Sequence, residues 1–473
     1  MQPILPRNAL RADDAPRVEL APFALRALRI LEDAGYEAWV VGGFVRDALL
    51  GRPGEDVDVA SSATWREAQR AFEARGVRTH ETGTAHGTLT AVVDGHAVEV
   101  TTYRADGSYA DDARHPRKVT FVRSIEEDLA RRDFTVNALA FHPDRGLIDP
   151  HGGRADLEAG VLRAVGDPAR RFSEDALRIL RACRLSAQLG FRIEDKTFSG
   201  MMANKGLLLR ISAERVAREL ERMLVGPFAG DVLLSCADVL AAVMPELVAM
   251  KGFEQRTPYH VHDVLAHTAC VIDATPPYPL VRWAALFHDM GKPATFFTDE
   301  EGVGHFYGHA ALSETMARGA MARLKLPSAF AGKVLQLVRR HDDDLLPTPK
   351  SVRKTLLSLE GDLELFGALC DLKRGDAMGQ APRCRGRVDE VNAVETVLGE
   401  VLSSDAAFTL GQLAIDGKEV LALGVGPGPL VGEALRAALG AVIDDEVANE
   451  RDALLAFTRR WLEERRRATV AKS

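Results

Sequence analysis

The sequence predicts an α+β chain: a head of short strands and helices, followed by a mostly helical remainder. Three observations predict it. Residues 38 to 60, AWVVGGFVRDALLGRPGEDVDVA, read as an apolar strand, a glycine turn, a short helix, a loop and a second strand. Two β-rich runs, GTLTAVV and HAVEVTTYR, flank Asp94-Gly95, a strong hairpin signal. Beyond Phe172 the pattern becomes helical, as in FSEDALRILRACRLSAQLG and LLRISAERVARELERML.

Taken in order, residues 1 to about 22 read as a loose arm, and a helix from Phe23 to Ala34 ends at Gly35 and feeds the strand Ala38 to Val41. Gly42 and Gly43 close that strand. Having no side chains, they let backbone N–H groups approach an anion at a helix start. Arg46 and Asp47 follow on the first helical turn, and Gly51 and Pro53 stop the helix. Asp56 and Asp58 then stand at i and i+2 of a strand, on one face, about 7 Å apart at Cα, a span able to bracket metal ions about 4 Å apart. WREAQRAFEARG is a helix closed by Gly76. In the second hairpin strand Glu99 has the opposite parity to Val98 and Val100, so it leaves the apolar face. It is a candidate third carboxylate, the alternative being a surface cross-strand partner. Residues 104 to 118, RADGSYADDARHPRK, are polar and aperiodic, as in a mobile loop. LARRDFTVNALAF follows with Arg131, Arg132, Asp133 and Asn137, and IDPHGGRADL reads as a glycine-rich link.

FSEDALRILRACRLSAQLG reads as one helix, capped by Ser173 and ended by Gly190. Glu174 and Asp175 fall in its first turn, where the macrodipole favours acids. Asp175 and Arg178, at i and i+3, also place an acceptor beside a fork of donors. Cytosine and adenine share an exocyclic amine next to an unprotonated ring nitrogen, which such a pair matches; uracil and guanine invert both groups. Each good contact to a base edge discriminates by about 1–3 kcal/mol. Arg181 and Arg184 continue the spacing of three.

Further on, His267 is followed by the doublet His288-Asp289 in ALFHDMGKP, then His305 and His309, His341 and Asp376. A His-Asp doublet within an apolar helix needs a partner for its charge, and imidazoles with carboxylates suit divalent transition metals. His260 and His262 stand just before this series. The last hundred residues are mostly helical, with a glycine-rich turn in IDGKEVLALGVGPGPLVGEALRAAL that reads either as a phosphate cradle or as a plain brace.

Composition bounds these readings. At 473 residues, a guide of about 150 residues per domain gives three units. No apolar run approaches the roughly 18 to 20 residues of a membrane span, and MQPILPRNALRADD lacks an apolar signal core, so a cytoplasmic protein without a membrane partner is expected. Five scattered cysteines suit a reducing compartment. The net charge is −8, yet residues 161 to 226 carry 13 Lys and Arg against 8 Asp and Glu, a local excess of the sign that a phosphate backbone requires.

Strand, GG, Arg-Asp, short helix and Asp-x-Asp strand together resemble the nucleotidyltransferase superfamily that includes DNA polymerase beta. More narrowly, VVGGFVRDALLG with EDVDVA, RRDFTVNA and SEDALR looks like the bacterial tRNA nucleotidyltransferases, or CCA-adding enzymes, and their poly(A) polymerase relatives. The resemblance implies a head with a small mixed sheet, then a helical neck, an HD domain and a helical tail. The segments expected are a nucleotidyltransferase head over 23–160, a neck over 161–226, a connector over 227–256, an HD phosphohydrolase domain over 257–385 and a tail, able to meet tRNA, over 386–473. It implies template-independent addition of CMP and AMP to the tRNA 3′ end from CTP and ATP. Asp56, Asp58 and Glu99 would be catalytic, the two aspartates holding Mg²⁺. Gly42, Gly43, Arg46, Arg132, Asp175, Arg178, Arg181 and Arg184 would bind nucleotide or the RNA end, and the 104–118 loop would help the switch from C to A. The histidine series resembles the HD metal-dependent phosphohydrolases, in which His267, His288, Asp289 and Asp376 would hold one metal and His309 and His341 would serve a second. The alternatives are a poly(A) polymerase or A-only enzyme and, from another class, an HD phosphohydrolase with a nucleotide-sensing head.

Overall fold

The computed structural model describes residues 18–52, 56–84, 87–106, 119–404 and 407–470. Most of the expected 104–118 loop, and Pro53, lie outside them. The chain divides into two compact units, Met1–Val248 and Ala249–Ser473, where length alone had implied three.

The first unit is built on a seven-stranded sheet in the order β3-β4-β5-β2-β1-β8-β9. In sequence these are β1 (Ala38–Val41), β2 (Val57–Ser61), β3 (Arg78–Gly83), β4 (Thr88–Val93), β5 (His96–Thr102), β8 (Ala140–His142) and β9 (Gly146–Ile148), with a separate antiparallel pair, β6 (Arg104–Asp106) and β7 (Val119–Phe121). The sheet is mixed, because β2 and β5 run parallel while the other neighbours run antiparallel. β1 is buried at all four residues, which is why it is apolar without alternation. The β4–β5 hairpin turns at Asp94 and Gly95 with φ of 51° and 85°, the pair of positive values that a two-residue type I′ turn needs. β3, polar and exposed at the sheet edge, carries no alternation that would mark it in the sequence.

Helices α1 (Pro22–Asp33), α2 (Gly43–Leu49) and α3 (Trp65–Glu73) accompany these strands, the last begun by a Thr64–Glu67 capping box. After α4 (Ile125–Ala130), the stretch expected to be only a link forms α5 (Gly153–Ala159), whose first N–H groups donate to the Asp149 carboxylate at 2.7 and 2.9 Å. The unit continues with α6 (Pro168–Glu174), α7 (Leu177–Leu189), α8 (Asp195–Asn204), α9 (Ala213–Leu224), α10 (Ala229–Ser235) and α11 (Ala237–Leu240).

The single helix expected from Ser173 to Gly190 is therefore two. Asp175 is extended at φ −146° and ψ 103°, and it separates α6 from α7. Its side chain accepts from the Leu177 N–H at 3.0 Å, so it caps α7 instead of riding on it.

The second unit is almost wholly helical. After the short α12 (Leu247–Met250) it comprises α13 (Val264–Ala274), α14 (Pro279–Phe287), α15 (Lys292–Thr295), α16 (His309–Arg323), α17 (Ser328–Arg340), α18 (Pro349–Ser358), α19 (Leu363–Gly379), α20 (Gly386–Ser403), α21 (Gly417–Ala422), α22 (Pro429–Ile443) and α23 (Arg451–Val470). A two-stranded ribbon, Phe297–Thr298 with Gly304–His305, stands before α16. The glycine-rich turn of the tail joins α21 to α22, and Ile415, Val420, Leu439, Ile443 and Leu454 belong to one apolar cluster there. Among the described residues no helix is long and apolar enough to cross a membrane.

Candidate active sites

In the first unit a cavity of about 880 Å³ opens beside the glycine turn. Nine arginines line it: Arg46, Arg104, Arg131, Arg132, Arg178, Arg181, Arg184, Arg215 and Arg222. Asp47, Asp56, Asp58, Asp133 and Asp175 also line it, so the cavity keeps an excess of positive charge. Such a lining fits a polyanion of nucleotide size.

The carboxylates come together through the sheet. Parallel pairing of β2 with β5 sets Asp58 directly beside Glu99, while Asp56 immediately precedes β2. Burial, then repulsion from Glu99 and Asp56, pushes the Asp58 carboxyl up to about 6, with Arg132 pulling the other way. A half-buried carboxylate raised by its own acidic neighbours is a place where a divalent cation relieves both penalties, and these residues fit one.

The turn is fitted to its neighbours. Gly42 has φ 75°, and a Cβ there would stand 2.7 Å from Arg132 Nη1. Only glycine admits that guanidinium against the backbone. Arg46 donates to both oxygens of Asp47, at 2.9 and 2.7 Å, and to Asn137 Oδ1 at 2.7 Å. Asn137 in turn donates to Asp133 at 3.0 Å, and Arg181 meets the other Asp133 oxygen at 2.6 Å. Burial disfavours the charge on Asp133, yet Arg181 and Asn137 hold its carboxyl far below the usual range. Arg131 and Arg132 pair with the fully buried Asp128 at 2.8 and 3.4 Å, and Arg184 pairs with Glu219 at 2.8 Å. Carboxylates in the wall, Asp47 and Asp133, and behind it, Asp128 and Glu219, thus fix the direction of the arginines.

Asp175 and Arg178 both line the cavity, but not as an i, i+3 pair on one helix. Arg178 Nη1 pairs with Glu174 at 3.1 Å, and its Nη2 donates to the Arg131 carbonyl at 3.0 Å. Asp175 stands 4.0 Å from Arg215. Glu174 had been given only a place in a helix turn. Arg215 and Arg222, seven apart on α9, line the cavity without having been among the expected site residues; their spacing of two helical turns was the available signal.

The second unit holds a separate cluster. His267, His288 and Asp376 form one group of converging ligand atoms, and Asp289, His309 and His341 another. His267 Nδ1 lies 3.1 Å from the Gly379 carbonyl, and His288, His309 and His341 Nδ1 lie 2.7, 2.9 and 2.7 Å from the carbonyls of Ala285, Phe306 and Val338. A carbonyl only accepts, so each Nδ1 carries the proton and each Nε2 turns a lone pair inward. Nε2 atoms then face each other at 3.3 Å for His267 and His288 and at 3.1 Å for His309 and His341. Lone pairs at that separation repel, and a cation between them removes the repulsion. Asp289 spans both groups: Oδ2 is 3.3 Å from His267 and His288, and Oδ1 is 3.5 and 3.6 Å from His309 and His341. Both oxygens are buried, and Oδ2 also meets Lys292 Nζ at 2.7 Å. Burial opposes its charge, but the Lys292 ammonium beside it helps hold the carboxyl well below the ordinary range. The donor set fits divalent ions, and Asp289, which faces both groups, would serve the second as well as the first.

Lys292, absent from the sequence reading, sits 2.7 Å from Asp289 and one helical turn after it, so the GK of HDMGKP was the signal. His260 lies against His267 with ring centroids 4.7 Å apart, and burial and then Lys292 press its imidazole down to about 3. His305 pairs with Asp299 at 2.7 Å, and His262 is exposed.

Residues 38–163 match the family described as Poly A polymerase head domain, 263–364 match the HD domain family, and 402–458 match a tRNA nucleotidyltransferase domain 2 family. The chain is 36% identical over 453 residues to a CCA-adding enzyme of Geobacillus thermodenitrificans, covering 94% of this chain and 98% of that one. A CCA-adding enzyme of Lactiplantibacillus plantarum is 35% identical, with 91% and 94% covered. The crystal structure of the Bacillus stearothermophilus CCA-adding enzyme in complex with CTP superposes with a TM-score of 0.69 at 32% identity, covering 96% of this chain and all of that one. A Thermotoga maritima CCA-adding enzyme complexed with tRNA, at 20% identity and a TM-score of 0.53, shares the fold. Since the likeness runs nearly end to end in both chains and takes in the glycine turn as well as the His-Asp doublet, the chain belongs to the bacterial CCA-adding enzyme family, nucleotidyltransferases that here carry an HD domain.

Proposed function

We propose that the chain adds CMP and AMP to the 3′ end of tRNA without a nucleic-acid template, using CTP and ATP. The observation that carries this reading is one cavity with the Asp56–Asp58 carboxylates on its wall and nine arginines around it. Asp56 and Asp58, assisted by Glu99, hold Mg²⁺. When bound, the metal lowers the pKa of the terminal ribose hydroxyl and offsets triphosphate charge. Gly42 and Gly43 leave room for the triphosphate beside Arg46, and Arg132 takes the sugar. Arg178 donates to the ring nitrogen shared by cytosine and adenine while Asp175 accepts from the exocyclic amine, and Arg181 and Arg184 face the pocket or the RNA end. In this reading residues 23–160 serve as head, 161–226 as neck, 227–256 as connector, 257–385 as HD domain and 386–473 as tail. The relatives named above are CCA-adding enzymes, which favours this reading over poly(A) or A-only addition and over a head that only senses nucleotide.

The test is to sequence the 3′ ends made from tRNA lacking CCA, with each nucleotide supplied singly and in pairs. CTP alone is expected to give CC ends, and CTP with ATP to give CCA. Addition of A alone, or long A tracts, overturns it.

A second reading concerns the HD centre, favoured by four imidazoles already turned toward one bridging carboxylate. It is a metal-dependent phosphoesterase for RNA ends that carry phosphate or 2′,3′-cyclic phosphate. Such ends must expose a hydroxyl before nucleotide addition can extend them.

A further inference from the structure

Beside the HD centre stands a group of aromatic rings that the metal chemistry does not use. Phe297 and His305 stack across the two-stranded ribbon with centroids 5.3 Å apart and planes 26° from parallel. His305 stacks on Tyr307 at 5.5 Å and 25°, and Phe297 meets Tyr307 at 5.6 Å. The rings nevertheless face solvent, with Tyr307 75% and Phe297 44% exposed. The Asp299 carboxylate fixes the His305 ring. The group is tied to the metal cluster: Tyr307 is two residues before His309, and the intervening turn places Phe306 5.3 Å from Lys292, the cation on Asp289. At another approach, Tyr259 is 52% exposed next to His260, with Arg383 and Arg387 over its ring at 5.1 and 5.9 Å.

A small phosphate ester needs the metals and a cation and nothing more. Exposed, pre-stacked rings are what a nucleobase needs, because every base has a π-face and exposed aromatic area is otherwise costly to leave in water. We infer that Phe297, His305 and Tyr307 form a nucleobase platform for the HD centre, whose ligand is accordingly a ribonucleotide or RNA end bearing a terminal phosphate. This rests on the phosphoesterase reading for its chemistry and on the rings alone for binding.

The test uses the full chain and a 2-aminopurine ribonucleoside 2′,3′-cyclic phosphate, whose fluorescence is quenched by stacking, with inorganic phosphate as a baseless competitor. In Tyr307→Ala and Phe297→Ala the quench is expected to fall and the apparent Kd to rise about tenfold. Tyr307→Phe should retain both, and competition by inorganic phosphate should not change. Any probe bound in the nucleotidyltransferase cavity contributes equally to every variant. Unchanged quench and Kd in both alanine variants overturn the platform. Absence of hydrolysis in the wild type removes the phosphoesterase reading and leaves this binding result standing.

Discussion

Asp58 carries its consequences in its own titration. Its folded carboxyl is raised to about 6 from an ordinary 3.8, so between those values the folded protein keeps a proton that the unfolded chain releases. Stability therefore falls as pH rises through that window, and the whole cost is present above it. Asp58→Asn is expected to stabilise the metal-free protein at pH 7.5, on the order of 1–2 kcal/mol once partial exposure is discounted, and to change little at pH 3.5. Thermal unfolding in chelator at the two pH values checks this, and equal shifts at both would remove the electrostatic account. The same variant is expected to lose nucleotide addition by at least about a thousandfold while tRNA binding survives. Single-turnover CMP incorporation and filter binding separate the two effects.

The break between α6 and α7 shows what the sequence could and could not convey. SEDALRILRAC contains no glycine or proline, and every residue in it tolerates a helix, so nothing local announces an interruption at Asp175. What accompanies it is not local: the Asp175 carboxylate caps α7 at the Leu177 N–H, and Arg178 donates to the Arg131 carbonyl from a distant part of the chain. The strands around the glycine turn and the hairpin were legible because turn chemistry and burial agree locally there, whereas β3 was not, being exposed and polar. The six HD side chains were legible because imidazole and carboxylate are conspicuous in apolar helices; Lys292 was not, because one lysine is ordinary in any sequence. Glu174 supplies a test at this scale. It does not line the cavity, yet it holds Arg178 at 3.1 Å. Glu174→Ala is expected to relax discrimination between CTP and UTP about tenfold by freeing Arg178. A competition assay with both nucleotides checks it, and unchanged selectivity would leave Glu174 as a helix-end acid only.

At the scale of the whole chain, the carboxylates of the nucleotidyltransferase cavity and the HD histidines lie in different compact units and share no residue. Losses should be independent. Replacing His288 and Asp289 together by Ala is expected to abolish divalent-metal binding at the HD centre and any hydrolysis of a 2′,3′-cyclic nucleotide, with CMP and AMP addition kept within about twofold. Metal content by mass spectrometry and both activities on one preparation decide it; a parallel fall in nucleotide addition would mean that the two centres are coupled. The sheet adds a consequence for the protein's birth on the ribosome. β2, which carries Asp58, is flanked by β5 and β1, and β1 in turn needs β8, which ends at His142. At roughly 5–20 residues per second, synthesis takes several seconds to pass from the aspartates to that strand. A nascent chain in that interval already contains both aspartates but no finished sheet, and the arginines of α7 and α9 that line the same cavity follow later still, so use of CTP waits until Arg222 has left the exit tunnel.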